Sequence, residues 1–196
     1  MKVLMIHSSY RKNGNTHKAF TLLEEYLQHN GNHIERVDLA EKDIGLCRGC
    51  RTCFDQGEAL CPLKDDVLEI YDTMKANEII VIGGPIYVDD VNGLLKNWID
   101  RMAFNSHRPG LYRQKYFVFM NSGVGASRHE LITVERAFNT WGMRRIGERR
   151  IVVGAHIDPA GLRTAHRNYY SGEKIGFLTA IGTKFVGLTI IKLILK

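Results

Sequence analysis

With 196 residues, 44% of them hydrophobic and 24% charged, the chain has the length for one domain with a full core, and its composition excludes fibrous and disordered classes. The formal charge of +6 is mild, and no aromatic-studded basic stripe or helix-turn-helix pattern accompanies it, which speaks against nucleic acid as a partner. The opening MKVLMIHSS has an apolar run too short for a signal peptide and no small-residue cleavage site, so a single domain over 1–196 in a reducing cytoplasm is expected.

In chain order, KVLMIHS (2–8) reads as an apolar first strand, followed by a polar loop and the helical THKAFTLLEEYLQHN (16–30). HIERVDL (33–39) alternates as an edge strand does. Every cysteine then falls in one loop, 47–61. KDDVLEIYDTMKAN (64–77) is a helix with acids in its first turn, EIIVIGG (78–84) a buried strand and NGLLKNWIDRMAF (92–104) a helix. KYFVFMNSG (115–123) is a strand, HELITVERAFNTWGM (129–143) a helix and RRIVVGA (149–155) the last strand. The basic run RRIGERR (144–150) fits either a solvated edge strand or a dock for an acidic partner or cofactor phosphate.

The tail, a hydrophobic segment at about 173–196, is apolar nearly all round over GFLTAIGTKFVGLTIIKLIL (176–195). It is expected to be a closing helix packed against the sheet and a second subunit. Lys184 and Lys192 within it weigh against a bilayer span, with attachment to a membrane surface the lesser alternative.

Five strands alternating with helices imply an α/β architecture, a parallel sheet with helices on both faces, because parallel neighbours need crossover connections. Ligands of such sheets bind outside the carboxyl ends of the strands. The loop after the first strand, SSYRKNGNT (8–16), has the chemistry of an anion site: hydroxyls on Ser9 and Thr16, the Asn15 amide, the Arg11 charge, and Gly14 for close backbone approach. It is neither a Walker A loop nor G-x-G-x-x-G. A polar turn with a helix cap is the plain alternative.

The stretch Ser9 to Thr16, S-x-R-x-x-G-N-T, resembles the FMN-phosphate loop of the NADPH-dependent FMN reductases in the flavodoxin-like superfamily. GGPIYVDDVNGLLKNWIDR (83–101) and NSGVGA (121–126) continue the resemblance in the same order. It implies a flavodoxin-like three-layer fold with strand order 2-1-3-4-5. It also implies FMN held by Ser9, Arg11, Gly14, Asn15, Thr16, by Pro85, Ile86 and Tyr87, and by Asn121, Ser122 and Gly123. Asp89 and Asp90 depart from the small residues common after the tyrosine, and the pattern fades beyond about residue 155.

Cys47, Cys50, Cys53 and Cys61 are separated by two, two and seven residues. Three cysteines in seven residues are cramped for a structural zinc, which usually takes two separated pairs, and suit three corners of a cubane better. Zinc, bare thiols and a Cys50–Cys53 disulfide remain alternatives. The motif, placed after the second strand, resembles that of the iron-sulfur flavoproteins. That resemblance implies a [4Fe–4S] cluster on these four cysteines beside FMN, with electrons passing from a ferredoxin-like donor to the flavin and a small-molecule acceptor within a homo-oligomer, a dimer or tetramer. The alternatives are an NAD(P)H-dependent FMN, quinone or nitro reductase without a cluster, and a zinc-stapled flavin sensor or interaction module. Chemistry would belong to the flavin, so no catalytic side chain is expected. Arg48 and Arg51 should stabilise a reduced cluster, and Asp100 and Arg101 should lock the third helix to its surroundings. The eight histidines show no ligand spacing.

Overall fold

The structure, a computed structural model, describes residues 1–123 and 128–152. The expected closing helix and residues 124–126 of the third flavin motif lie outside the described residues.

Strand β1 (Lys2–His7) is flanked in parallel by β2 (His33–Asp38) and β3 (Ile79–Tyr87). β3 runs on past the sheet and folds back antiparallel onto the two-residue β4 (Asp90–Val91). β5 (Lys115–Ser122) pairs in parallel with β3, and β6 (Arg144–Val152) with β5. The five parallel strands therefore stand in the expected order, with the β3–β4 hairpin added.

Strand alternation divides the core. Val3 and Met5 of β1 face helix α1 (Asn15–His29), packing with Ala19, Phe20, Leu23 and Leu27. Leu4 and Ile6 face the other way. There the buried residues of α3 (Val67–Ala76), α4 (Gly93–Arg101) and α5 (His129–Thr140) gather around Trp98, Phe138 and Trp141. Ile79 to Ile82 of the central β3 are all buried, the continuous apolar run that a strand covered on both faces requires.

Two boundaries differ from the sequence expectation. β6 begins at Arg144, five residues before 149, immediately after a turn in which Gly142 takes φ +91°. Its arginines conceal the strand from a hydropathy reading because they point to acids: Arg145 pairs with Glu135 and Glu148, and Arg150 with the buried Glu130. Among the described residues β6 is an edge strand, as one reading of RRIGERR expects. The cysteine loop also contains a one-turn helix, α2 (Thr52–Asp55), that no periodicity announces. Among the described residues, no helix is long and apolar enough to cross a membrane.

Candidate flavin and cysteine sites

The carboxyl ends of β1, β3 and β5 surround a small recess of about 70 Å³. Ser9, Arg11, Gly14, Asn15 and Thr16 line it from the first loop, Pro85, Ile86 and Tyr87 from the end of β3, and Asn121 and Gly123 from the end of β5. Ser122, the remaining predicted residue, is buried between these last two. Three separated motifs thus close on one place.

Gly14 caps α1 in an extended conformation, φ −75°, so its value is not left-handed freedom. A side chain there would lie 3.0 Å from Arg11 Cβ and 3.2 Å from Arg11 O, where the turn donates Gly14 N–H to Arg11 O. The helix starts at Asn15, one residue earlier than expected, and no side chain caps it. Its first amide groups therefore remain available to an anion.

The recess is held by Asn92, the N-cap of α4. Its Oδ1 accepts from Leu95 N–H at 3.1 Å, while its Nδ2 donates to Ser8 O at 2.8 Å, Ser8 Oγ at 3.0 Å and Pro85 O at 3.3 Å. One buried amide thereby ties the loop after β1 to the end of β3. Gly84 permits this closeness: a Cβ would sit 2.0 Å from Ser8 Oγ. The hairpin beyond Tyr87 turns through Val88 and Asp89 at φ +50° and +64°, values that a β-branched residue adopts only under strain. Thr133 of α5 donates to Asp90 at 2.9 Å and pins this strained turn. FMN fits the residues present. Asn121 is 7% exposed, and its Nδ2 finds no partner among the described residues, leaving a buried donor at the recess for an acceptor on the ligand.

The second site is the cysteine loop. Cys47, Cys50, Cys53 and Cys61 all line one cavity of about 270 Å³, with Phe54, Leu63, Val67, Leu68 and Phe104 as apolar wall and Arg48, Arg51, Lys64 and Arg101 as cations. Cys47 and Cys50 are exposed, Cys53 and Cys61 half-buried. The Thr52 hydroxyl, donating to Cys50 Sγ at 3.4 Å, draws the Cys50 thiol down, whereas burial and then the Cys61 sulfur push Cys53 up. No three of the four sulfurs gather within 4.8 Å of one another. A zinc tetrahedron with Zn–S near 2.3 Å would hold its sulfurs about 3.8 Å apart. The donor set, four cysteines on one cavity, offers one thiolate for each corner of a cubane.

Side chains, not secondary structure, fix this loop. Asp65, 6% exposed, accepts Gly45 N–H at 3.0 Å and pairs through both oxygens with the guanidinium of Arg101, 4% exposed. Arg101 also donates to Gly45 O at 3.0 Å and to Cys61 Sγ at 3.6 Å. Burial works against the Asp65 charge, but Arg101 and the Gly45 amide outweigh it and hold the carboxyl below its ordinary range. Arg108 fastens the other side, donating to Cys53 O, to Phe54 O at 3.1 Å and to Glu58 at 2.9 Å. Arg101 does lock α4, as expected, whereas Asp100 pairs with Lys96 on the same helix. Asp65 and Arg108 carry roles that no spacing revealed.

A third grouping contradicts the reading of the histidines as scattered. His7 Nδ1–H donates to Asp38 at 2.5 Å, and ligand atoms of His7, His17 and Asp38 lie within 4.8 Å of one another. Arg36 already donates to both Asp38 oxygens at 3.1 Å, to His17 Nδ1 at 3.1 Å and to Glu24 at 3.1 Å. The guanidinium stands where a cation would, and the cluster is a buried strut between β1, β2 and α1.

By fold and strand-end recess the chain is a flavodoxin-like protein. Its sequence matches the NADPH-dependent FMN reductase family over residues 1–155. An iron-sulfur flavoprotein of Archaeoglobus fulgidus is 32% identical over 149 residues, covering 75% of this chain and 66% of that protein. One of Methanocaldococcus jannaschii is 33% identical over 178 residues, covering 90% and 83%. The solved structure of an NAD(P)H:quinone oxidoreductase from Methanothermobacter marburgensis superposes with a TM-score of 0.68 at 15% identity, covering 95% of each chain, which shows a shared fold. The chain belongs to the NADPH-dependent FMN reductase family, a family of flavin-dependent oxidoreductases, and groups there with relatives named iron-sulfur flavoproteins.

Proposed function

We propose that the protein is an electron-transfer flavoprotein with FMN in the strand-end recess and a [4Fe–4S] cluster on Cys47, Cys50, Cys53 and Cys61. Single electrons come from a ferredoxin-like donor and leave to a small-molecule acceptor. The observation that carries this reading is the gathering of all four cysteines on one largely apolar cavity whose lining includes Arg48, Arg51, Lys64 and Arg101. A caged set of thiolates is anionic, and such a wall stabilises it. When bound, the two groups supply one- and two-electron redox chemistry; the protein supplies position and electrostatics.

Arg11, Ser9 and Thr16 hold the flavin phosphate with the amides of α1, and Asn121 donates to the flavin where it is otherwise unpartnered. Tyr87, 47% exposed, offers its ring to the isoalloxazine. Asn92 and Arg101 sit at opposite ends of α4, nine residues and about 14 Å of helix axis, so one rigid element spaces the two sites. Self-association as a dimer or tetramer is supported by exposed apolar residues beside both sites: Leu46 and Leu60 at the cysteines, Tyr10 and Val88 near the recess.

Anaerobic purification tests the proposal. Iron and sulfide at about four each per FMN are expected. Stoichiometric zinc in their place selects the zinc-stapled module. Iron-free yellow protein that NADPH bleaches rapidly selects the second reading, an NAD(P)H-dependent FMN, quinone or nitro reductase, which the matched family's own cofactor preference favours.

A further inference from the structure

Four guanidinium groups approach the cysteine loop, but they are not equivalent. Arg48 and Arg51 are exposed, Arg51 with 72% of its side chain in solvent and paired to Asp55. Arg108 spends its donors on the carbonyls of Cys53 and Phe54 and on Glu58. Arg101 alone is a buried cation in hydrogen-bonding contact with a cysteine sulfur among the described residues, through Nη2 to Cys61 Sγ. Charges in solvent are screened within a few ångströms of water and salt, whereas a buried charge acts at lower effective dielectric. Arg48 and Arg51, expected to stabilise a reduced cluster, act from solvent, whereas Arg101 acts from within the fold.

We infer that Arg101 is a potential-setting residue as well as a fastener: its second guanidinium arm withdraws charge from the Cys61 ligand and makes reduction of the cysteine-held cluster easier. The inference rests on the cluster proposed above. Reduction adds one electron, supplied by the ferredoxin-like donor, and hence one negative charge to a thiolate cage. A fixed cation beside one corner stabilises that added charge more than it stabilises the oxidised cage. Asp65 sets the other side of the balance. It accepts from the same guanidinium through both oxygens, so its carboxylate offsets part of the field that Arg101 projects toward Cys61. The potential is set by this pair, with the carboxylate and the thiolate competing for one cation.

The pair allows a test in which fastening and tuning have different signs. Midpoint potentials of the anaerobically loaded protein are read by dye-mediated titration followed by EPR, with iron content measured on each sample. Arg101→Gln is expected to shift the potential negative. Asp65→Asn, which leaves the cation but removes its counter-charge, is expected to shift it positive. Arg101→Lys keeps the ion pair but loses the arm to Cys61, and is expected to shift the potential negative by less than Arg101→Gln. The double replacement Arg48→Gln, Arg51→Gln is expected to shift it least. If Arg101→Gln does not retain iron, the Lys variant carries the comparison, and an unchanged potential there overturns the inference. Shifts of the same sign in Arg101→Gln and Asp65→Asn, at parental iron content, also overturn it and leave Arg101 a fastener only. Parent protein free of iron overturns the cluster reading, and this inference with it, which separates the two failures.

Discussion

The recess proposed for FMN and the cysteine cavity both have cationic side chains in their walls, yet they are held by different means. The recess lies on the ends of three central parallel strands, where backbone positions are set by the sheet and the Asn92 amide ties two of them together. The cavity lies in a long excursion between β2 and α3 that contains one turn of helix and two short 3-10 turns. Its shape depends on two arginines reaching in from later parts of the chain. A site made from sheet geometry should lose less when one side chain is removed than a site made from buried side-chain ties.

The sharpest break in that comparison is Asp65→Ala. It strands a buried guanidinium and should destabilise the fold by about 3–5 kcal/mol in urea unfolding. FMN affinity of the molecules that remain folded should change little, since Asp65 lies outside the recess. An equal loss of FMN affinity would show that the two sites are one unit. Asn92→Ala probes the recess in return. Losing the cap and the buried donor contacts should lower stability by roughly 2–3 kcal/mol and weaken FMN binding, while iron content stays at the parental level. For the anion grip itself, Arg11→Ala with Thr16→Ala removes two charge-assisted hydrogen bonds to the proposed phosphate, one from a guanidinium and one from a hydroxyl. FMN affinity should fall by on the order of 10–100-fold in a fluorescence titration, with unfolding unchanged.

A smaller effect tests the strut that holds the recess to β2. Burial opposes the Asp38 charge, but His7 and Arg36 outweigh it and lower its pKa from 3.8 to about 2. The folded value lies below the unfolded one, so this stabilisation is complete above about pH 4 and disappears as pH falls through 2. With solvent screening it amounts to roughly 1–2 kcal/mol. Asp38→Asn should abolish that segment of the stability–pH profile, and an unaltered acid limb would place the sensitivity elsewhere.

Much of the recess was readable in advance because its parts are local. Ser9 to Thr16 is one continuous strand-to-helix turn, and Pro85 to Tyr87 and Asn121 to Gly123 are strand ends that a parallel sheet must bring to the same edge. The cysteines were equally plain as a set. What could not be read was everything that reaches across the chain. Arg101 meets Asp65 from 36 residues away, and Arg108 meets Cys53 from 55. His7 and His17 carry no ligand spacing, yet they pack at 5.5 Å because β1 and α1 converge there. The start of β6 was hidden because its arginines are matched to Glu130, Glu135 and Glu148, pairings that hydropathy does not register. The strained turn at Val88 and Asp89 follows from β3 being drawn out to meet β4, which no local preference of those residues would predict.

The amino-acid sequence alone determined the alternation of strands and helices, the gathering of sulfur in one loop and the polar turn between β1 and α1. Each of these depends on neighbours within a few positions. Tertiary structure decided which charges are buried, and so which of several arginines can act on a cysteine. The strength of a charge depends on the solvent excluded around it, and that exclusion exists only once distant segments have packed.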